Sequence, residues 1–493
     1  MKKVIIIGSG FAGISAACFM AKAGWQVQVL EQHHQAGGRA RQLKEQGFTF
    51  DMGPSWYWMP DVFDWFFSQF GDNKSAPYKL HRLDPSYRVY WKDRYDEMPA
   101  SYTALQSLFE KIEPGAAASL DKFLEEAAYK YDVGIHKLVH KPGIKIGELM
   151  DFDLMKGLFR LDVFTSMRAH VHKFFKNDEL RQLLEFPVLF LGALPQQIPA
   201  LYSLMNYADI KLGTWYPEGG MHSIVTSMQK QAEELGVQFL FNEKVTAINT
   251  ENGKAKSISV LASGQAKTYE ADVVIANADY AFVEKELLQE NERNYSDAYW
   301  DKRVMAPSSL IFYVGLNKKL KNVAHHNLFF DVDFNKHGDE IYKTKQWPQD
   351  PLFYLSVTSV TDADVAPAGH ENLFILIPIA AGLEGDDEAL REHYFSKIVK
   401  RIEDRLGEEI ASNIVYKKSY SVSDFVLDYN AYKGNAYGLA NTLMQTAHLK
   451  PSLKSKKIKN LYFTGQLTVP GPGVPPSLIS GKVVSDEIIK STK

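Results

Sequence analysis

Two short apolar runs, with a helix-length stretch between them, open the chain. Residues 4–7 and 27–30 are the runs, and residues 11–24 separate them. A short apolar run is typical of a buried strand, and a helical crossover joins strands that run parallel. The pattern therefore predicts a β-α-β unit at the start of the chain.

A similar unit returns at the end of the chain. Residues 460–465 predict a strand closed by glycine, and residues 477–490 predict a helix after a proline-rich loop. Residues 101–210 carry apolar side chains at helical spacing and are predicted to be mostly helical. Apolar runs predict further strands at 237–249, 257–261, 272–277, 309–316, 352–360 and 372–379.

This order of elements predicts an α/β protein with two parts. The β-α-β units place a discontinuous nucleotide-binding domain in residues 1–80, 212–300 and 440–493. A substrate domain of mixed α+β structure takes residues 81–211 and 301–439. A chain of 493 residues is long enough for two such domains.

Charge and composition exclude some function classes. The formal net charge is -3, so the chain offers no broad positive field for nucleic acid. One cysteine, Cys18, permits no internal disulfide. Lys2 and Lys3 before an apolar run also fit a secretory signal peptide, but the glycine spacing that follows favours the β-α-β unit. His136 and His140 share a helix face without a completing carboxylate motif, so no metal is predicted.

The turn after the first predicted strand carries the pattern GxGxxG. Gly8 permits the tight turn, Gly10 lets the Ser9–Gly10 backbone approach a pyrophosphate, and Gly13 permits close packing of helix on strand. Glu31 ends the second strand, where a carboxylate accepts hydrogen bonds from ribose hydroxyls. Gly38 and Arg39 follow, and a guanidinium offers a rigid fork for phosphate oxygens, although a surface turn would carry the same residues.

These residues, with the run FDMGP at 50–54, resemble flavin oxidoreductases that include amine oxidases, protoporphyrinogen oxidases and carotenoid desaturases. Further motifs, YPEGGM at 216–221, NAD at 277–279 and LYFTGQLTVPGPGVPPSLISGK at 461–482, resemble bacterial-type carotenoid desaturases, most of all phytoene desaturases. The resemblance implies a Rossmann-type FAD-binding domain of the glutathione-reductase kind. It also implies non-covalent FAD held in addition by Gly53, Pro54, Val245, Gly465, Val474 and Pro475. Gln466 stands where many flavoproteins have an acidic residue.

The resemblance implies desaturation of phytoene to a lycopene-like polyene by hydride transfer to the flavin. A flavin oxidase of a polar amine or porphyrin-like ring, a desaturase of a hydroxylated or shorter carotenoid, and a non-catalytic lipid-binding protein remain alternatives. Arg168 and Asp162 are candidates for proton removal or cation stabilisation, considered beside His170 and Glu185 in the same helical segment. No motif supports any of these four.

Aromatic residues crowd the stretch from Trp56 to Phe67. The spacing from residue 60 onward predicts a helix packed into the core, whereas Trp56, Tyr57 and Trp58 are predicted to line an apolar tunnel for the polyene. Such a substrate comes from a bilayer, so we expect a cytoplasmic protein bound peripherally to the membrane. The expected surface is the helical, membrane-facing part at 183–204, aided by Lys454, Lys456 and Lys457. The oligomeric state stays open.

Overall fold

The computed structural model describes residues 2–71, 75–143 and 160–492. Their strands, β1 to β19 in chain order, span Lys3–Ile7, Gln26–Glu31, Gln42–Glu45, Phe48–Asp51, Leu80–Arg82, Tyr87–Tyr90, Tyr95–Met98, Trp215–Pro217, Gln238–Phe241, Glu243–Glu251, Lys254–Ala262, Gln265–Glu270, Val273–Ala276, Ser308–Leu316, His326–Phe329, Phe353–Ser356, Glu371–Ile379, Ile414–Tyr420 and Leu461–Phe463. Their α-helices span Phe11–Lys22, Pro60–Ser68, Tyr102–Ile112, Ala116–His136, Met167–Phe174, Asp178–Glu185, Leu204–Tyr207, His222–Glu234, Tyr280–Glu286, Asp297–Asp301, Phe334–Asp339, Glu388–Leu406, Val422–Tyr429 and Val474–Thr492.

A five-stranded parallel sheet in the order β19-β13-β1-β2-β9 forms the centre of the nucleotide-binding part. Its strands are apolar because both faces of the sheet are covered. Val4 and Ile6 face a core shared with the helices Phe11–Lys22 and Val474–Thr492. Ile5 and Ile7 face the opposite core, which includes side chains of β10 and β11. The strands come from residues 1–80, 212–300 and 440–493, the segments predicted to form the cofactor domain.

A seven-stranded mixed sheet in the order β18-β14-β17-β16-β15-β6-β7 forms the centre of the other part. β14 pairs along its full length with β17 and is buried throughout. The helix Glu388–Leu406 covers one face of this sheet through Phe395, Ile398 and Ile402. The other face turns toward a large cavity.

Most predicted elements are present, with shifted ends. The C-terminal helix begins at Val474, three residues before its predicted start, because proline is well accommodated in a first helical turn. The strand predicted at 352–360 is shorter, since β16 ends at Ser356 and a 3₁₀ turn follows at Thr358–Val360. The described residues of the segment 101–210 are mostly helical, and residues 144–159 lie outside the described part.

Candidate active site

A cavity of about 840 Å³ begins at the carboxyl edge of the parallel sheet. The residues that follow β1, β2, β13 and β19 all lie at this edge, and parallel sheets bind their ligands there. The cavity continues along the seven-stranded sheet to an opening lined by exposed apolar side chains. It therefore has a cofactor end and a second, apolar limb.

The glycine-rich turn at the cofactor end has the geometry of a phosphate cradle. Gly8 has a φ of +94°, which favours glycine, and its N–H donates to the Leu30 carbonyl at 2.8 Å. A Cβ on Gly13 would lie 2.2 Å from the Gly8 carbonyl oxygen, so this position requires glycine. The helix Phe11–Lys22 thus begins directly against the cavity with its positive dipole end.

Glu31 lies at the end of β2 and lines the cavity while only 4% exposed. Its Oε2 accepts hydrogen bonds from the Ser9 N–H (2.9 Å) and the Ser9 hydroxyl (2.6 Å), and its Oε1 accepts one from the His33 N–H (3.0 Å). These bonds fix the carboxylate beside the glycine-rich turn. The remaining lone pairs are placed for ribose hydroxyls.

Arg39 projects from the Gly37–Gly38 turn into the same end of the cavity. Its Nη2 donates to the Asn435 carbonyl at 3.1 Å, and its guanidinium lies over the ring of Tyr429. The buried Nε has no hydrogen-bond partner within the described part of the chain. A buried donor without a partner is costly, so this atom indicates a polar ligand. Gln466 lies within 3.1 Å of both Arg39 and Asn435.

The C-terminal unit closes the cofactor end from the other side. Gly465, Val474 and Pro475 line the cavity, as do Gly53, Pro54 and Val245. Gly53 lies so close to Arg39 that an added Cβ would meet the Arg39 carbonyl oxygen at 2.6 Å. Since the helix Val474–Thr492 starts here, its N-terminus directs a second positive dipole end into the cavity.

These features fit FAD. Two helix N-termini and a glycine-rich turn suit the pyrophosphate, Glu31 suits the ribose, and the partnerless Arg39 Nε suits a polar group of the cofactor. Of the predicted cofactor-binding residues, all except Gly13 line the cavity. Gly13 lies behind the cavity lining, where its lack of a side chain lets the helix Phe11–Lys22 pack closely against Gly8 and Asn277.

The apolar limb is lined by aromatic and aliphatic side chains and floored by the seven-stranded sheet. The floor residues are Ser309 and Ile311 of β14, Tyr354 of β16 and Leu376 of β17. The lining aromatics include Trp56, Trp58 and Phe63. Among the described lining residues, the carboxylates are Glu31, Glu243 and Asp279, which lie with the cofactor motifs. The limb itself therefore offers a binding site for a long apolar molecule.

The three aromatic residues predicted to line the tunnel divide into two groups. Trp56 and Trp58 line the cavity, and the Trp58 Nε1 donates to the Thr214 hydroxyl at 2.8 Å. Tyr57 does not line it, which corrects that part of the prediction. Its ring is 1% exposed and stacks on Phe63 with centroids 4.4 Å apart, and its hydroxyl hydrogen-bonds that of Tyr78. Alternating residues of an extended segment point in opposite directions, so Tyr57 faces the core.

Trp56 is held from behind by His326. The two rings stack with centroids 4.2 Å apart and an interplanar angle of 14°. His326 Nδ1 lies 2.6 Å from the Tyr354 hydroxyl. Burial is the main cause that holds the pKa of His326 well below its usual range. The neighbouring His325 lowers this pKa further. The imidazole is therefore neutral and leaves the Trp56 face free of a competing positive charge.

The two catalytic candidates form ion pairs outside the cavity lining. Asp162 lies 2.9 Å from the fully buried Lys130 ammonium, and Arg168 lies 3.0 Å from the buried Glu185 carboxylate. Glu126, Asp162 and His170 place ligand atoms within 4.8 Å of one another, a spacing that could hold a metal ion. Lys130, whose Nζ is also 3.2 Å from His170 Nε2, already supplies positive charge there.

The structure corrects the expected membrane surface. Within residues 183–204 the side chains of Leu183, Leu184, Val188, Ile198 and Leu204 are buried, because they pack into the core. Lys454 and Lys456 lie over the rings of Tyr462 and Tyr295. Exposed apolar side chains instead surround the cavity opening: Phe164, Leu443, Met444 and Leu449. In the part of the chain that is described, no helix is long and apolar enough to cross a bilayer.

Residues 436–449 are a part of the site that sequence reasoning missed. Ala436, Tyr437, Asn441, Leu443 and Met444 line the cavity, yet they lie in irregular chain and a short 3₁₀ helix, Leu443–Gln445, without a periodic pattern. The signal that was available is the cluster of small and polar residues after Gly434, which predicts only a loop. Their place beside β14 depends on long-range contacts such as the hydrogen bond from the Ala436 N–H to the Pro307 carbonyl.

The family model that matches this chain is described as flavin containing amine oxidoreductase and covers residues 11–489. A carotenoid 3,4-desaturase of Haloarcula japonica is 40% identical over 489 residues, which are 99% of this chain and 98% of the relative. A zeta-carotene-forming phytoene desaturase of Myxococcus xanthus is 29% identical over 99% of this chain and 94% of its own length.

Solved structures share the fold at much lower identity. A crystal structure of an oxidoreductase from Methanosarcina mazei aligns with a TM-score of 0.65 and 16% identity. The alignment covers 98% of this chain and 100% of the other. At that identity the similarity supports the α/β fold only. The reaction has to be inferred from the residues of the site.

Proposed function

Because this chain belongs to the flavin containing amine oxidoreductases, and among them to the FAD-dependent carotenoid desaturases, we propose that it desaturates a long acyclic carotenoid in the apolar limb. FAD is the cofactor, and carotenoid desaturation is the activity. The observation that carries the substrate proposal is the continuity of one cavity from the phosphate cradle to an apolar limb lined by tryptophans. A flexible polyene threaded into such a limb presents one bond after another to a fixed cofactor.

When bound, FAD supplies the hydride acceptor. Loss of hydride from a carbon beside a conjugated system leaves an allylic cation on the substrate. The faces of Trp56 and Trp58 stabilise positive charge through their π-systems, and the neutral His326 holds Trp56 in place. The apolar lining excludes water, which would otherwise trap the cation.

Two reactions fit this site. Desaturation of phytoene follows from the sequence motifs, and desaturation at the 3,4 position is favoured by the 40% identity to a carotenoid 3,4-desaturase, against 29% to a phytoene desaturase. An amine is disfavoured as substrate, because no carboxylate among the described residues of the apolar limb could pair with its ammonium group.

The two reactions can be separated in a host that makes no coloured carotenoid of its own. The chain is expressed with a supply of phytoene in one strain and of lycopene in another, and the pigments are separated by chromatography. Conversion of phytoene to a coloured product supports the first reaction, and a longer conjugated system from lycopene supports the second. Absence of any new product in both strains, from a protein that carries flavin, contradicts the proposed function.

We propose further that the cavity opening rests on a membrane surface. Phe164 is 84% exposed and Met444 is 72% exposed, and both line the cavity, so substrate could pass from lipid to cavity without crossing water. Lys141 and His448 lie at the same opening and would face the lipid headgroups.

Flotation with liposomes tests this surface. Replacing Phe164 and Met444 by serine removes apolar area from the opening and is expected to lower the lipid-bound fraction severalfold. Val360→Ser and Leu427→Ser, at exposed apolar positions that do not line the cavity, serve as the control. Equal flotation of both double variants and the wild type would refute the assigned surface.

A further inference from the structure

Desaturation releases a proton as well as a hydride, and the inference below rests on the proposed function. The oxidised cofactor would accept the hydride and be reduced by it, whereas the proton has to leave an apolar limb. The cavity carboxylates Glu31, Glu243 and Asp279 lie at the cofactor end among the described lining residues. A proton released beside Trp56 therefore needs another route.

A second, much smaller cavity lies next to the floor of the limb. Its volume is about 20 Å³, which is enough for one water molecule. The lining is rich in oxygen atoms that can hydrogen-bond such a water, from Asp51, Ser55, Tyr216, Ser356, Thr358 and Asn372. A polar cavity of this size inside a protein is typically hydrated.

Ser55 lines both cavities. Tyr354 lies on the floor of the large cavity, and its hydroxyl is 2.6 Å from His326 Nδ1. The buried Ser356 hydroxyl lines the small cavity and has no hydrogen-bond partner among the described residues, so it can bind the water there. Hydroxyl groups thus continue from the substrate limb into the small cavity. Each of them can accept a proton on one side while it donates one on the other.

We propose that the small cavity is the proton outlet of the reaction, in which Ser55 and one water carry the proton from the substrate limb to Asp51. The C–H bond next to the allylic cation breaks, its electron pair becomes the new double bond, and its proton enters the hydroxyl chain. Asp51 takes up one proton per double bond formed and releases it before the next. Ser55 is the entry point, because it is the one described residue of the small cavity that also lines the large cavity.

The surroundings of Asp51 suit a reversible proton acceptor. Burial, as the main cause, raises the pKa of Asp51 to about 7, with a smaller contribution from the negative charge of Asp362. Two hydrogen bonds oppose this shift, from the Met221 N–H to Oδ2 (2.7 Å) and from the His222 N–H to Oδ1 (3.0 Å). The His222 Nδ1–H donates to the Ala40 carbonyl at 2.9 Å, and burial lowers the pKa of this imidazole, so it adds no cation.

The route continues from Asp51 toward the loop that carries Asp362. A Cβ on Gly220 would lie 2.6 Å from Asp51 Oδ2, so this glycine turn packs directly on the carboxylate. The neighbouring Gly219 N–H donates to Asp362 Oδ2 at 2.8 Å, and the Tyr216 hydroxyl donates to the same oxygen at 3.0 Å. Asp51 and Asp362 therefore flank one turn, and Asp362 Oδ1 accepts a hydrogen bond from the N–H of the exposed Asp364 at 3.0 Å.

Two variants interrupt the route at different points. Asp51→Asn removes the acceptor, and Ser55→Ala removes the entry hydroxyl, while Ser55→Thr retains a hydroxyl. The control is Asp333→Asn, because Asp333 also accepts hydrogen bonds from two backbone N–H groups but lies on the surface. Turnover is measured on FAD-loaded enzyme with whichever of phytoene and lycopene the wild type converts in liposomes.

We expect Asp51→Asn to lower kcat about 100-fold at unchanged flavin content, since removal of a proton acceptor typically has effects of this size. Wild-type kcat should rise with pH through about 7 as Asp51 ionises, and the variant should lose that inflection. Ser55→Ala should slow turnover, and Ser55→Thr should restore it. Infrared titration without substrate should show protonated carboxyl absorption from Asp51 and Glu284 that disappears near pH 7 in the wild type, and Asp51→Asn should keep only the Glu284 part.

Unchanged kcat and pH profile in Ser55→Ala and Asp51→Asn, with an active wild type, would overturn the relay and leave the desaturase function intact. If Asp51→Asn does not fold, Ser55→Ala decides, because an unchanged rate in that variant overturns the relay by itself. Conversion of neither carotenoid by flavin-loaded wild type would overturn the proposed function, and the relay with it.

Discussion

Single side chains at the cofactor end act through fixed geometry. Glu31 accepts its hydrogen bonds from Ser9 and His33, so its carboxylate cannot rotate away from the ribose position. Trp56 is fixed in a different way, by stacking on an uncharged imidazole. In both cases neighbouring residues hold the side chain in its binding orientation before the ligand binds, so less conformational entropy is lost on binding.

Replacing Glu31 by alanine should weaken FAD binding more than tenfold. The variant loses charge-assisted hydrogen bonds to ribose, worth on the order of 1.5–3 kcal/mol, and releases Ser9 as well. Titration of folded apoprotein with FAD measures the change. Glu45→Ala, an exposed glutamate at the end of β3, is the matched control and should bind like the wild type. Wild-type affinity in Glu31→Ala would contradict the assigned role.

Trp56→Ala and Tyr57→Ala should fail in different ways, although the residues are adjacent. Trp56→Ala should lower carotenoid turnover while flavin content stays normal, because this ring lines the limb. Tyr57→Ala should instead lower the free energy of unfolding by about 3–5 kcal/mol, because it empties a buried aromatic site. Pigment formation and chemical denaturation measure the two effects. Trp65→Ala is the control for turnover, because Trp65 does not line the cavity. A loss of turnover in Trp65→Ala equal to that in Trp56→Ala would contradict the role of Trp56 in the limb.

At the scale of elements, the approach of the first helix to β1 creates the phosphate cradle. The helix Phe11–Lys22 is also clamped by the helix Val474–Thr492, where a Cβ on Gly481 would lie 2.6 Å from the Ala12 carbonyl oxygen. Glycines therefore set the separation of these elements, and the separation sets how far the Ser9–Gly10 backbone reaches into the cavity.

Gly13→Ala should therefore impair FAD binding and stability together. Its Cβ would meet the Gly8 carbonyl oxygen at 2.2 Å and the Asn277 amide at 2.5 Å, so the helix must shift. Overpacking of this kind costs about 1–3 kcal/mol. Flavin retention on purification and the unfolding midpoint report the two losses. At Gly71→Ala no heavy atom of the described residues lies within 4 Å of the new methyl group, so this variant should change neither. A flavin-replete, fully stable Gly13→Ala protein would disprove the packing argument.

At the scale of the whole molecule, buried carboxyl groups link the fold to pH. Burial raises the pKa of Asp209 to about 6, although hydrogen bonds from Thr214 and Tyr87 oppose the shift. Burial likewise raises the pKa of Glu284 to about 7. A carboxyl group whose pKa is higher in the folded than in the unfolded state favours folding in its protonated form. These groups therefore contribute stability at low pH that is lost as pH rises.

Asp209→Asn should remove part of that dependence. Between about pH 4 and pH 6, the wild type should lose on the order of 2 kcal/mol that the variant does not lose. Urea unfolding at a series of pH values measures the difference in slope. Asp178→Asn, at an exposed carboxylate in the first turn of a surface helix, should keep the wild-type slope. Parallel curves for wild type and Asp209→Asn would contradict the assignment.

The sequence by itself determined the local elements and the cofactor end. Apolar runs marked β1, β2, β13 and β19, and the glycine spacing marked the cradle, because strand burial and close backbone approach leave direct traces in residue type. The same holds for Gly53 and Arg39, which the motifs assign to the cofactor site and which lie in contact there. Local sequence records these requirements since each depends on one residue and its immediate backbone.

The sequence predicted an apolar tunnel, but only the tertiary structure decided which residues line the apolar limb, where it opens and where the small cavity lies. Tyr57 turned inward because Phe63 and Tyr78 lie on that side, and the 183–204 segment is buried because other elements cover it. Ser55 and Asp51 acquire a shared cavity through β16 and β17, whose residues lie some 300 positions away in the chain. A cavity is the space left between distant elements, and its shape therefore depends on contacts that no short stretch of sequence contains.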